Sequence, residues 1–316
     1  MLTLRVTLRA RSAFATPLRG DTLFGHLCWA VVERFGEARL VELLDGYGAG
    51  RPFAVLGDPS PKDYLPRPFC PTPVWLAGTL LDPAQRKAEK ARKWVGLTAV
   101  ATPIRQWRKH AVALPWIAAA TDQHNSINRQ TGTTGKGLGF APYQVDVQWY
   151  RGADGSGDLD LYAVIDSERL AIADFEVLLL DIGGGGYGKD ASTGRGRFTV
   201  DAVTQHRWPK VARADAWLTL GPTAPQSAGQ AWRADRSWYQ PVLRFGRHGN
   251  RAALTGQPFK NPVVLADAGA VLTPAEMRET SFCGAGLGGG GRLSRAIPET
   301  VHQGYAPVVP IEVGQL

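Results

Sequence analysis

At 316 residues the chain is long enough for one large domain or two ordinary ones, and its 44% hydrophobic and 20% charged residues are those of a folded soluble protein. The formal charge of +8 favours a polyanionic partner; the 27 arginines against 9 lysines decide little, since a GC-rich genome gives the same bias. Cys28, Cys70 and Cys283 are far apart with no C-x-x-C spacing, which argues against a zinc module and a disulfide framework and for a reducing, cytoplasmic setting.

The N-terminal MLTLRVTLRARSAF has no apolar core of signal-peptide length, and no run approaches the ~18 apolar residues of a membrane span. Instead it alternates. Leu2, Leu4, Val6 and Leu8 point one way and Thr3, Arg5, Thr7 and Arg9 the other, which predicts a half-buried strand. In GDTLFGHLCWAVVERFG, Phe24, Leu27, Cys28, Val31 and Phe35 form one helical stripe, with Asp21 as the expected cap and Gly36 as the stop.

From about residue 37 to 142 the regularity breaks. Pro52, Pro59, Pro61, Pro66, Pro68, Pro71 and Pro73 predict an extended, helix-free stretch. DPAQRKAEKARKW predicts a short basic helix opened by Asp82 and Pro83, and the polar HNSINRQTGTTGKGLGF a loop. This block is expected to be an insertion.

Val145, Val147 and Trp149, then Leu159, Leu161 and Ala163 across RGADGSGD, predict a hairpin. SERLAIADFEVLLLDI carries a helical spacing with Ser167 as its expected cap, although its dense VLLL also suits a strand. Phe198, Val200 and Ala202 alternate as another strand. The order βαββαβ is the ferredoxin-like arrangement. The remainder holds AWLTL, SWYQPVLRF, NPVVLAD and GYAPVVPIEV as strands, with the glycine cluster GAGLGGGG before the last. The expected fold is therefore α+β: a first ferredoxin-like domain over 1–213 with an insertion near 37–142, and a smaller, degenerate, strand-rich second domain over 214–316.

DIGGGGYGKDASTGRGRF fits G-x-x-x-x-G-K up to Lys189, where Asp190 stands in place of the magnesium hydroxyl. The same stretch has the G-x-G-x-x-G spacing through Gly183, Gly185 and Gly188. Both nucleotide motifs need a strand before the loop and a helix after it, and here the predicted order is reversed. Neither motif fits. Glycines 183 to 186 can turn amides outward as an anion nest, with Lys189, Arg195 and Arg197 adding charge and Ser192 and Thr193 hydroxyls; a plain connector is the other possibility. His26 sits on a helix edge, where a structural role is commoner than a general base. The remaining histidines, His110, His124, His206, His248 and His302, show no metal spacing, and Asp146, Asp158 and Asp160 form no convincing two-metal cluster. No cofactor is expected.

A βαββαβ domain with a glycine-rich segment after its second helix resembles the RAMP superfamily of CRISPR RNA-binding proteins. GDTLFGHLCWAV, NSINRQTGTT, GGGGYGKDASTGRGRF and HQGYAPVVPIEV, in this order, are together similar to the fourth-subunit family of the type III-A (Csm) effector. The resemblance implies two RAMP domains, no nuclease activity, and a cap on the crRNA 5′ handle. The implied neighbours are the large polymerase-like subunit and the adjacent backbone RAMP subunit. It also implies that Gly183, Gly184, Gly185, Gly186, Lys189, Ser192, Arg195 and Arg197 hold handle phosphates, with Asn125, Asn128, Arg129 and His26 near the RNA. The insertion would be a thumb-like arm. Asn125, Asn128 and Arg129 equally suit a turn-forming loop. The alternative function is a standalone RAMP endoribonuclease using His26 or His124.

Overall fold

The computed structural model describes residues 1–134, 141–226, 231–249, 254 and 256–314. The end of the polar stretch, 135–140, lies outside them. In chain order the elements are β1 (Leu2–Ala10), α1 (Gly20–Phe35), α2 (Glu37–Leu44), β2 (Ala54–Leu56), β3 (Ser60–Pro61), β4 (Tyr64–Pro66), α3 (Thr72–Leu76) and α4 (Pro83–Ala91). There follow β5 (Trp94–Gly96), α5 (Ile104–Trp107), β6 (Ala111–Val112), β7 (Ile117–His124), β8 (Tyr143–Tyr150), β9 (Asp158–Ile165), α6 (Ile172–Gly185) and β10 (Phe198–Gln205). The C-terminal part holds β11 (Ala216–Thr219), β12 (Pro241–Arg244), β13 (Val263–Ala266), β14 (Val271–Leu272), β15 (Phe282–Gly288) and β16 (Val301–Ile311).

The central sheet has the antiparallel order β10-β1-β9-β2. The alternation of β1 comes out as predicted: Leu4, Val6 and Leu8 are buried together with Leu27 and Val31 of α1 and Phe175, Leu178 and Leu179 of α6. On the other face, Arg5 pairs with Asp160 at 2.6 Å and Arg9 with Asp158 at 2.7 Å. Those aspartates are therefore ion-pair partners of β1.

A second antiparallel sheet, β14-β11-β16-β15, joins the first through polar clasps. β2 is short, and the fully buried Gln303 side chain satisfies both backbone groups of Leu56, accepting from its N–H at 2.8 Å and donating to its carbonyl at 2.7 Å. Arg244 of β12 forks onto the buried Asp21 of α1 at 2.6 and 2.8 Å. Arg19 bridges Asp58 and Asp267. A third piece, the lobe β4-β5-β6 with α3 to α5, shares one apolar core with the second sheet: Val95, Val100, Ile104 and Trp107 lie with Leu218, Val309 and Ile311.

Several expectations are corrected. β8 does not form a hairpin with β9; it pairs with β7, and β9 lies between β1 and β2. Alternation marks a strand but not its partner, and Val145 and Val147 bury against Ala13 instead. The second strand of the central sheet is β2, inside the block assigned to the insertion, so the excursion falls between β2 and β9 rather than after α1. The proline stretch is not helix-free: α3 starts at Thr72 with Pro73 in its first turn, where a missing N–H costs nothing. Asp21 lies inside α1 rather than capping it, and α6 is capped at Ala171, not Ser167. The basic helix holds, as α4 with a reciprocal Asp82–Gln85 capping box. GAGLGGGG is mostly strand β15, where Gly286 is required because a Cβ there would stand 2.6 Å from the Tyr47 ring and backbone.

Candidate nucleic-acid interface

The glycine segment divides into parts with different jobs. Gly183, Gly184 and Gly185 are the last turn of α6, and Gly186, at φ 96°, ends the helix by donating its N–H to Ile182 O. Gly183 is buried because α6 crosses β10 there; a Cβ would stand 2.2 Å from the Phe198 carbonyl oxygen. The amides that follow are also committed. Tyr187 N–H donates to Gly196 O, Gly188 N–H to His26 Nε2 at 3.1 Å, and Lys189 N–H to Thr16 Oγ1 at 2.9 Å. The expected nest of outward amides over 183–186 is therefore not formed: helical geometry and protein acceptors take up those residues. Open backbone at Gly184 and Gly185 remains, where an added Cβ would meet nothing.

His26 owes its place to this arrangement. Its ring packs on Tyr187, centroids 4.9 Å apart, and its Nε2 accepts from Gly188. Burial pushes its pKa down to about 4, so it is neutral at physiological pH. Tyr187 is itself fully buried, its hydroxyl donating to Pro17 O and accepting from Arg19 N–H. His26 thus fastens the segment to α1.

The exposed cations lie further along. Lys189 and Ser192 are exposed, and Lys189 has no ion-pair partner among the described residues. Arg197 is exposed and donates to Gly184 O at the end of α6. Arg195 turns inward. It pairs with Asp122 at 2.7 Å and lies 3.1 Å from His124 Nε2, both on β7.

That contact joins the two stretches singled out from the sequence. β7 and β8 form a long hairpin whose base is rigid: Tyr150 packs edge-on to Phe14 at 5.0 Å and beside Trp116 at 5.3 Å, and its hydroxyl accepts from Leu18 N–H. Its far end carries the His124 ring stacked on Tyr143 at 5.3 Å, then Asn125, Asn128 and Arg129. Asn128 forms the turn, accepting from Gln130 N–H through its side chain and from Gly132 N–H through its carbonyl. Asn125 and Arg129 are exposed, as are Ile127, Tyr143 and Trp149. Asp122, His124, Tyr143 and Thr16 were not in the predicted set. Nothing in the sequence gave the register that puts Asp122 beside Arg195.

Lys189, Ser192 and Arg197 beside the Gly184–Gly185 backbone, joined through Arg195 to a hairpin that carries the exposed Tyr143 ring and Arg129, suit a sugar-phosphate strand with a base to stack. Among the described residues no cluster of His, Cys, Asp or Glu has metal-holding geometry, and no helix is long and apolar enough to cross a membrane.

No family model matches the chain, and no curated protein does. Solved structures do match over its whole length. A chain of the Csm1–Csm4 cassette in complex with pppApA aligns with TM-score 0.56 at 17% identity, covering 100% of both chains. The same cassette in complex with cA4 gives 0.57 at 15% identity over 99% of each. A chain of the Csm3–Csm4 subcomplex of the type III-A CRISPR-Cas interference complex gives 0.58 at 11%, covering 99% of this chain and 100% of that one. The fold is thus one found in type III-A CRISPR effector assemblies. The subunit common to those assemblies is Csm4, and this chain has the Csm4 fold.

Proposed function

We propose that this chain is a non-catalytic RNA-binding subunit of a type III-A CRISPR effector, holding the crRNA 5′ handle across the glycine segment and the β7–β8 hairpin. The observation that carries the reading is the pairing of Arg195 with Asp122 and His124. It ties two cation-bearing segments, far apart in sequence, into one surface on a Csm4 fold. A neutral His26 with its Nε2 already occupied supports a structural role for that residue rather than ribonuclease chemistry.

In this proposal residues 1–213 and 214–316 are two ferredoxin-like halves. The strand order β10-β1-β9-β2 over α1 and α6 supports the first; for the second, the described residues supply the four-stranded sheet β14-β11-β16-β15 without an α-helix. The subunit docks a large polymerase-like protein and an adjacent backbone subunit, as the names of the Csm1–Csm4 and Csm3–Csm4 assemblies suggest by analogy. The exposed Leu243 and Val264, opposite each other on β12 and β13, with Phe245 and Phe259 nearby in sequence, support a protein contact there.

The test is a tagged pull-down from native cells with sequencing of the bound RNA. Mature crRNAs sharing one repeat-derived 5′ tag, together with a large polymerase-like protein, are expected. RNA-free protein, or a small nucleotide in its place, would contradict the proposal.

A further inference from the structure

The chain's positive charge is not where the proposed handle site is. Residues 64–112, the lobe from β4 to β6, hold nine Lys and Arg against two acids, a net +7 of the chain's +8. The rest of the molecule is near neutral, because its acids nearly equal its Lys and Arg in number, and arginines there pair with aspartates such as Asp160, Asp158, Asp21 and Asp122.

Within the lobe both acids are used internally. Asp82 caps α4. Glu89, the buried residue of α4, accepts from Trp75 Nε1 at 2.8 Å and pairs with Arg92 and Arg108 at 3.3 and 3.2 Å. Arg67 lies over the Trp75 ring at 4.0 Å. That leaves Arg86, Lys87, Lys90, Lys93 and Lys109, all exposed and with no acidic partner among the described residues. Arg92 and Arg108 converge on Glu89, which brings the end of α4, and with it Lys90 and Lys93, alongside the Arg108–Lys109 turn. Arg86, Lys87 and Lys90 are three and four residues apart on a helix, so they repel one another and weaken α4. The lobe nevertheless holds them on a rigid base, since Ile104 N–H donates to Glu312 O and the lobe core is continuous with the second sheet.

We infer that the α4 face of this lobe is a second nucleic-acid surface, separate from the glycine segment, that binds the phosphodiester backbone of a strand without reading its bases. The cations are lysine-rich, and no Phe, Tyr or Trp of the lobe is exposed among them, His110 being the one exposed ring, which suits a point-charge contact with phosphates rather than base recognition. Its only strongly exposed large apolar residue is Leu80, too little for insertion into a lipid surface. The inference does not depend on the handle reading.

The test uses the full-length purified chain and a short homopolymeric uridine RNA, with affinity followed against salt. Each single-stranded phosphate contact contributes about 0.7 to the slope of log K on log salt, so Lys87→Ala, Lys90→Ala and Lys93→Ala together lower it by about 2 and weaken binding roughly tenfold or more at low salt. The corresponding Lys→Arg triple retains the slope, and an unchanged melting temperature shows that these exposed substitutions leave the fold intact. In a Lys189→Ala, Arg197→Ala variant the three lysines make the same contribution to the salt slope. Loss of preference for handle RNA in that variant bears on the handle site alone. No homopolymer binding by the parent chain, or a slope indifferent to the three lysines, overturns the inference. So does displacement of the RNA by polyglutamate at equal charge concentration with the same lysine dependence, because the occupant would then be an acidic protein.

Discussion

A neutral histidine that holds a loop leaves a signature in the pH dependence of stability. Unfolded, His26 titrates near 6.5; folded, burial holds it near 4, so the unfolded chain binds the extra proton between those values. Its contribution is fully present above pH 6.5 and is lost as pH falls toward 4, by about 3 kcal/mol. His26→Gln keeps an acceptor for Gly188 and removes the titration. The difference in unfolding free energy between parent and variant should therefore shrink or reverse from pH 7 to pH 4; a difference constant over that range would contradict a buried neutral imidazole. Lys189 and Arg197 make the complementary case, as exposed cations whose only described side-chain tie to the fold is Arg197 on Gly184 O. Alanine at both should cut affinity for handle RNA by at least roughly tenfold with little change in melting temperature, measured by fluorescence anisotropy and thermal unfolding.

At the scale of elements, the hairpin and the α6–β10 segment are joined near their base through Ala13 and Phe14, and toward the hairpin's far end through Arg195. Its ion pair is partly exposed and worth about 1 kcal/mol. Arg195→Ala should speed amide hydrogen exchange in β7 and β8 several-fold without moving the midpoint of global unfolding much; equal exchange would mean that the aromatic base alone holds the hairpin. The elements themselves were largely legible. β1, α1, α4, β9, α6 and β10 follow from alternation, helical stripe and capping residues, because local chemistry decides them. What was not legible is what local chemistry leaves open. β2 is a three-residue strand between prolines, recognisable only by its place beside β9 and its clasp to Gln303. The alternating run of β8 was visible, but its partner β7 was not. Gly183 to Gly185 could be read as loop because glycine is a poor helix former, yet tertiary packing against Phe198 requires a residue without Cβ in that last turn. Of the candidate site, the two segments could be picked out from the sequence, and their junction through Asp122 could not.

Across the whole molecule, the two sheets are held by buried polar clasps as well as by apolar contact. Asp21, 4% exposed, is kept ionised by Arg244 and His302, which hold its carboxyl far below the usual range against the opposing effect of burial. Arg244→Ala leaves that carboxylate buried with its main partner gone and should cost about 3 kcal/mol in chemical denaturation; a loss under about 1 kcal/mol would mean that the clasp is dispensable. Charge is distributed just as unevenly: the basic balance seen in the sequence belongs almost entirely to the α4 lobe, whereas the handle site relies on a few exposed cations and bare backbone.

The central claim is that the glycine segment and the hairpin tip together hold the 5′ end of a guide RNA. Its most direct measurement is ultraviolet crosslinking of the native, RNA-loaded assembly, with mass spectrometry of the crosslinked peptides and sequencing of the attached RNA. The account predicts crosslinks within residues 184–197 and 124–130 to the first nucleotides of a shared 5′ tag. Crosslinks confined to the α4 lobe, or to RNA ends without a common tag, would contradict it.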